Sequence, residues 1–236
     1  MKKRIGFITA LASIFLTTSC LGQGKTENNP NNDVKREAAP LVKGLKTCPD
    51  DNHPHAIDLG LPSGTYWACC NLGASSPSEY GSLYTWGDIE PMNGNQYKYA
   101  IPGNDEYDVL FKDLDNDIAG SEYDAATQSW GSPWQLPTDE QMRELLKVCN
   151  KGEWTTMYGH VGRKFTAPNG GVIFLPANMD WEQNIVDEGE KGFYWSSVVS
   201  SMSKNSANEL MIFEGSAVMD ATSRSCGWSI RPVRNK

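Results

Sequence analysis

The chain has 236 residues, 39% of them hydrophobic and 10% aromatic, which allows one domain or two small ones around a sizeable core. Its formal net charge is −8, and Lys2, Lys3 and Arg4 crowd the first four positions, leaving 18 of the 21 Lys and Arg against 29 Asp and Glu in the remainder. An acidic surface of this kind repels phosphate backbones and excludes nucleic acid as the expected partner.

The first twenty residues read as an address. A basic start is followed by an apolar run from Ile5 to Leu16, then Thr17-Thr18-Ser19 and Cys20. The apolar run is shorter than the roughly 20 residues of a membrane-spanning helix and follows signal-peptide grammar. The small residues before Cys20 resemble a bacterial lipobox, with its leucine one position early at Leu16. The expectation is a lipoprotein signal peptide over 1–19, acylation (palmitate-type) at Cys20, and a lipid-anchored place at the outer membrane or cell surface. Residues 20–45 contain few large apolar side chains and read as a flexible tether, because they cannot bury enough surface to offset their ordering entropy. The folded domain is expected over 46–236.

Within that domain, strands are expected at Ala56–Leu59 and Tyr66–Asn71. A single helical turn is expected at Ser76-Pro77, with Pro at the first helical position and Glu79 near the cap. Residues 89–121 form a long polar loop, the kind that carries function. A helix is expected over 122–130, where Tyr123, Ala126 and Trp130 share a face. A second helix begins at Thr138, which with Gln141 makes a Thr-x-x-Gln capping box. Met142, Leu145, Leu146 and Cys149 then form one apolar stripe, and Asn150 and Gly152 stop it. Arg163–Ala167 and Gly171–Ala177 flank Pro168-Asn169-Gly170, a hairpin signal. Further strands are expected at Phe193–Val199, Glu209–Phe213, Ala217–Ala221 and Trp228–Val233. Strands, then helices, then antiparallel strands make the class α+β.

Beyond Cys20 there are five cysteines, Cys48, Cys69, Cys70, Cys149 and Cys226, and an exported chain can keep disulfides. Adjacent Cys69 and Cys70 in an extended run should face opposite sides. One bridge is expected to pin the Cys149 helix to a strand, with the pairing left open. Cys48, His53 and His55 with Asp50 and Asp51 lack a second cysteine pair at zinc spacing and read as a surface loop.

The chain carries an ordered series of phrases: Asp58-Leu59-Gly60-Leu61-Pro62-Ser63-Gly64, Trp67 to Ala74, Trp86-Gly87 with Glu90-Pro91, Tyr123-Asp124-Ala125-Ala126, Trp130 to Thr138, Pro168-Asn169-Gly170 with Ile173 to Ala177, Tyr194-Trp195-Ser196-Ser197, and Ser229-Ile230-Arg231-Pro232-Val233. Taken in order over about 56–234, they resemble the Fibrobacter succinogenes major paralogous domain of Bacteroidetes-type surface lipoproteins. The resemblance implies a C-type-lectin-like fold with two short helices, mainly antiparallel strands and long loops. Trp134 to Glu140 is also similar to a helix-opening phrase of formylglycine-generating enzymes. Those enzymes need two neighbouring cysteines near the C-terminus, where this chain has Cys226 alone, so their activity is not carried over.

Other chemistries leave weak traces. Glu90-Pro91-Met92-Asn93 sits too early for a sugar-binding calcium loop. Asp113, Asp115 and Asp117 alternate like calcium ligands, but an EF-hand needs Gly where Ile118 stands. A structural calcium is the one cofactor left open; otherwise none is expected. No Gly-x-Ser-x-Gly elbow is present. His160, between glycines, reads as a loop residue. Trp67, Trp134, Trp195 and Trp228 are expected in the core, and Trp181, beside Asp180 and Glu182, as an exposed contact. Residues 198–226 are rich in small polar side chains suited to adaptable hydrogen bonding. The expected ligand face is Ser200, Ser201, Ser203, Asn205, Ser206 and Asn208 with Trp181; no catalytic residue is assigned.

The functional expectation is a lipid-anchored surface protein that binds a glycan or a protein and catalyses nothing. Its alternatives are a subunit of a surface assembly such as a fimbrial tip, a variable-face receptor of a diversity-generating system, and an inactive relative of sulfatase-modifying enzymes.

Overall fold

A computed structural model describes residues 55–92, 100–102, 109–111, 114–177 and 189–235. Cys20, the 20–45 tether, Cys48, His53, Asn93, Asp113 and Trp181 lie outside the described residues. Twelve described strands and two described helices give an α+β architecture in which every strand pairing is antiparallel.

β1 (Ala56–Asp58) pairs with β2 (Tyr66–Ala68), and the same strand β2 pairs with the last strand of the chain. Between them and the helices, the expected long loop contains a small hairpin, β3 (Ala100–Pro102) and β4 (Val109–Phe111). Helix α1 (Ala125–Trp130) starts later than the 122–130 expectation because Asp124 is its N-cap. The fully buried Asp124 carboxylate accepts N–H bonds from Gly120, Ala126, Thr127 and Leu136, which satisfies the helix start and ties it to the next strand. Burial pushes its pKa up, and the backbone N–H groups pull it back.

β5 (Trp134–Gln135) leads into α2 (Asp139–Val148), where both halves of the expected capping box form between Thr138 and Gln141. Met142, Leu145 and Cys149 are buried as expected, and Asn150, Lys151 and Gly152 leave the helix with positive φ. A three-stranded sheet follows: β6 (Glu153–Met157), β7 (His160–Thr166) and β8 (Val172–Pro176). The Pro168-Asn169-Gly170 turn joins the last two, with Gly170 at φ 87°. β6 is not among the expected strands; its apolar residues do not alternate cleanly. His160 is the first residue of β7 rather than part of a loop, its ring set edge-on to Tyr80 at 5.2 Å.

The second three-stranded sheet has the order β11-β10-β9, made of β9 (Lys191–Val199), β10 (Ser206–Phe213) and β11 (Ser216–Ser223). The chain closes on β12 (Val233–Arg234), which lies between β2 and β5. The expected terminal strand from Trp228 is broken. Trp228 and Ser229 make isolated bridges to Tyr84 and Tyr194, and Pro232, which has no N–H to donate, precedes the two-residue β12.

Three further expectations are corrected. Ser76-Pro77 opens a turn, not a helix; the Glu79 carboxylate folds back to accept from the Ser75 N–H and hydroxyl and caps the turn on itself. Cys69 and Cys70 do not lie in an extended run. The strand ends at Ala68, the chain bends, and both thiols enter one core cluster. The bridge from Cys149 is absent. Cys149 is a free, buried thiol whose pKa burial raises to about 11, while Cys226 is the described cysteine in a disulfide.

Two apolar clusters share the interior. One gathers Trp86, Trp130, Trp134, Trp195 and Trp228; the other gathers Trp67, Met142, Leu145, Phe165, Tyr194 and Leu210. Arg231, fully buried, joins separate parts of the chain. Its guanidinium donates to the carbonyls of Ala68, Cys69 and Phe174 and to Asn71 Oδ1, at 2.8–3.2 Å. Among the described residues no helix is long and apolar enough to cross a membrane.

Arg231→Met removes four hydrogen bonds from one buried cation and strands their acceptors. A loss of at least about 3 kcal/mol is expected, since each buried acceptor left unpaired costs about 1–3 kcal/mol. Chemical denaturation measures it. Arg231→Lys should recover little, because one ammonium cannot span acceptors on two strands; wild-type stability in either variant would refute this role.

Candidate functional site

The polar segment singled out by sequence is built on the β9-β10-β11 sheet, whose β9 and β10 are covered on both faces. Tyr194, Leu210, Ile212 and Ala217 face the cluster beneath α2. Phe193, Trp195 and Ala207 face the tryptophan cluster, where Phe193 stacks on Trp228 with ring centroids 4.4 Å apart. The alternation of β10 produces this division. A register shift between Ala207 and Glu209 marks a bulge, opposite which β9 turns its carbonyls and N–H groups elsewhere. There Ser196 O accepts from Trp86 Nε1, Ser197 N–H donates to Pro137 O, and Ile118 N–H donates to Ser197 O. The Tyr194-Trp195-Ser196-Ser197 phrase therefore locks the sheet to two loops.

From the end of β9 the chain turns over at 200–205. The turn is held by its own bonds: Ser200 N–H to Ser206 O, Ser206 N–H to Ser203 O, Met202 N–H to Ser200 Oγ and Asn205 N–H to Ser203 Oγ. The Arg224 N–H donates to Asn205 O and its guanidinium to Lys204 O, fastening the turn to the chain after β11. Ser201, Met202, Ser203, Lys204 and Asn205 are exposed, Met202 at 90%. The structure thus brings Ser201, Ser203 and Asn205 together at one tip, with half-buried Ser206 beside them. It does not add Ser200 or Asn208. Ser200 is buried in the turn, and Asn208 donates to Asp139 Oδ2 at 2.6 Å while Ser196 holds Oδ1. Met202 is the tip residue that a search for polar contacts passes over.

Glu209 is the other residue sequence reasoning missed. It is 3% exposed, follows the bulge on β10, and sets its carboxyl beside the Trp228 indole. Burial, then the neighbouring Asp220, raise its pKa to about 8, with Trp228 acting weakly the other way. Its signal was in the sequence: Ala207, Glu209 and Met211 share one side of an alternating strand, and the other two are apolar.

The remaining candidates are scattered. Asp115 and Asp117 are exposed, and Asp117 Oδ1 accepts from the Ala119 N–H. His55 sits against Cys69, with Nδ1 3.5 Å from Sγ. Among the described residues no group of three or more His, Cys, Asp or Glu is arranged to hold a metal. Trp67, Trp134, Trp195 and Trp228 are all in the core, as expected. No family model, curated protein or solved structure matches the chain.

Glu209 predicts a pH dependence with a definite sign. Its carboxyl titrates near 8 when folded and near its ordinary 4.5 when unfolded. Between those values the folded protein keeps a proton that the unfolded chain gives up. The group's contribution is therefore fully present below pH 4.5 and is lost as pH rises to about 8. Glu209→Gln holds the neutral form at every pH. The variant should match wild type near pH 4 and exceed it at pH 8 by about 2 kcal/mol or more, at ~1.4 kcal/mol per pH unit of the window. Thermal melts of both proteins across that range check it; a constant offset would count against a buried neutral carboxyl.

Proposed function

We propose that this chain is a lipid-anchored cell-surface protein whose lectin-like domain binds a ligand at the 200–206 turn and catalyses no reaction. The observation that carries the reading is the turn itself. Five consecutive exposed side chains, Ser201 to Asn205, stand on a turn between β9 and β10, two strands covered on both faces. Side chains there can change without disturbing the core, and a pre-ordered turn loses little entropy on binding. The lectin-like reading is supported by two helices, antiparallel strands, long loops and the pairing of the second strand with the last. The resemblance to the Fibrobacter succinogenes major paralogous domain and the lipobox at Cys20 supply the surface location.

The ligand reading covers a glycan or a surface protein. Met202 favours protein: an apolar side chain 90% exposed among serines suits a protein contact better than a sugar hydroxyl. The same residue supports the second reading, a subunit of a surface assembly.

Two variants test the proposal. Cys20→Ala should move the full-length protein out of the membrane fraction. Ser201→Tyr with Met202→Asp should keep the melting profile, since exposed substitutions usually stay within about 0.5 kcal/mol. The double variant should weaken binding to a glycan array or to intact cells by about tenfold or more, the scale of a lost central contact. Wild-type binding by the double variant, or membrane retention of Cys20→Ala, would sink the corresponding half.

A further inference from the structure

We propose that the guanidinium of Arg234, with the small cleft beside Trp134, is a binding site for a carboxylate-bearing sugar residue. The site belongs to the β1-β2-β12-β5 sheet, not to the sheet that carries the 200–206 turn, so it goes beyond the binding face already proposed and stands or falls without it.

The register of three strands builds a seat for the cation. Val233 faces the core, so alternation turns Arg234 to the other face of β12. There its cross-strand neighbours are Tyr66 on β2 and Trp134 on β5. The guanidinium carbon lies 5.8 Å from the Tyr66 ring centroid and 5.9 Å from that of Trp134. Trp134 is itself held by an edge-on contact with Trp130, centroids 5.3 Å apart. Two rings fix the cation in place without using its N–H donors. Nε is buried and has no hydrogen-bond partner, so no acceptor of the protein competes for the group. Acidic side chains outnumber basic ones 29 to 21 in this chain, yet no carboxylate among the described residues pairs with this half-buried arginine.

The kind of ligand follows from the cation and from the cleft. The cleft has a volume of about 140 Å³, and Trp134 is one of its walls. Thr127, Ser132, Gln135 and Asn235 line the rest with neutral hydroxyl and amide groups. The Thr127 hydroxyl is spent on Trp134 O, and Asn235 Oδ1 accepts from Gln141 Nε2 at 3.3 Å, which leaves the Asn235 amide N–H groups to donate. Ser132 is exposed at the mouth. A planar carboxylate matches the guanidinium fork and accepts two parallel N–H bonds from it. A phosphate brings more negative charge to a chain whose net charge is already −8. The neutral donors and acceptors beside the fork match the hydroxyls of a sugar ring, whereas an acidic peptide side chain would leave them unused. One cation and one small cleft define a single acidic ring, and binding changes no covalent bond.

The test is an NMR titration of the full-length protein labelled in its arginine side chains. Methyl glucuronide is the probe; methyl glucoside, acetate and N-acetyl-glutamate methylamide are its controls. Glucuronide should shift the Arg234 Nε–H resonance saturably, and methyl glucoside should leave it in place. Acetate and glutamate amide should bind about tenfold more weakly than glucuronide, or less. Arg234→Gln should weaken glucuronide binding about tenfold or more in calorimetry, as for a lost charge pair. Arg234→Lys should recover little of it, because an ammonium offers no fork. Ser132→Ala, an exposed change that spares the fold, should weaken glucuronide several-fold and leave acetate unchanged; it keeps the test open if the Arg234 variants melt early. An unmoved Arg234 resonance, or wild-type glucuronide binding by Arg234→Gln or by Ser132→Ala, overturns the proposal. If glutamate amide binds as tightly as glucuronide, the site takes acidic peptides and the sugar assignment falls. The double variant of Ser201 and Met202 should bind glucuronide like wild type; a loss there would move the sugar to the turn.

Discussion

A single buried guanidinium holds the strands of this domain in relation to one another. Arg231 reaches the carbonyls at the end of the second strand, the carbonyl of Phe174 in the eighth, and the side chain of Asn71. Burying a cation is costly unless its donors are used, and here four hydrogen bonds use them. The network extends outward. Asn71 donates to Tyr80 O, which also accepts from Ser229, and the fully buried Tyr194 hydroxyl donates to Pro176 O. Three stretches far apart in sequence are thereby fixed at one point. The phrase Ser-Ile-Arg-Pro-Val near the C-terminus is the means by which the last strand finds its place.

The tryptophans do related work with their polar edges. Trp86 Nε1 donates to Ser196 O and Trp195 Nε1 to Tyr84 O, so each ring fills the core and also closes a loop. Irregular backbone has carbonyls with no ladder partner, and an indole N–H is one of the few donors that arrives with enough apolar surface to be buried beside them. That explains how a domain with two- and three-residue strands keeps its shape.

Much of this was legible in the sequence because it is local. The Thr138–Gln141 box, the Pro168-Asn169-Gly170 turn and the Met142–Leu145–Cys149 stripe each depend on residues within one turn or one hairpin. What failed was non-local. The bend at Cys69–Cys70 is imposed where Arg231 takes the Ala68 and Cys69 carbonyls, which no short window reveals. His160 is in a strand through its pairing with Met157, and its ring is held by Tyr80, eighty residues away. The site divides the same way: the exposed tip of Ser201, Ser203 and Asn205 follows from composition, whereas Ser200 is buried by its own turn and Asn208 is withdrawn by Asp139, 69 residues away. Glu209 had a readable signal, an acid on the apolar side of an alternating strand, and it was lost among the surrounding serines and asparagines.

The arrangement of the first sheet has a mechanical consequence. The order β1-β2-β12-β5 leaves β1 at an edge, attached through three residues to a strand that Arg231 clamps from the other side. Tension that reaches the chain at residue 55 enters the fold through that edge strand. The same force passes on through β2 and β12, but the three-residue ladder of β1 is the short attachment in that path. The molecule has a weak seam next to its leading segment and a stiff body behind it. A pull at residue 55 would part β1 from β2 before it disturbed the β9–β10–β11 sheet.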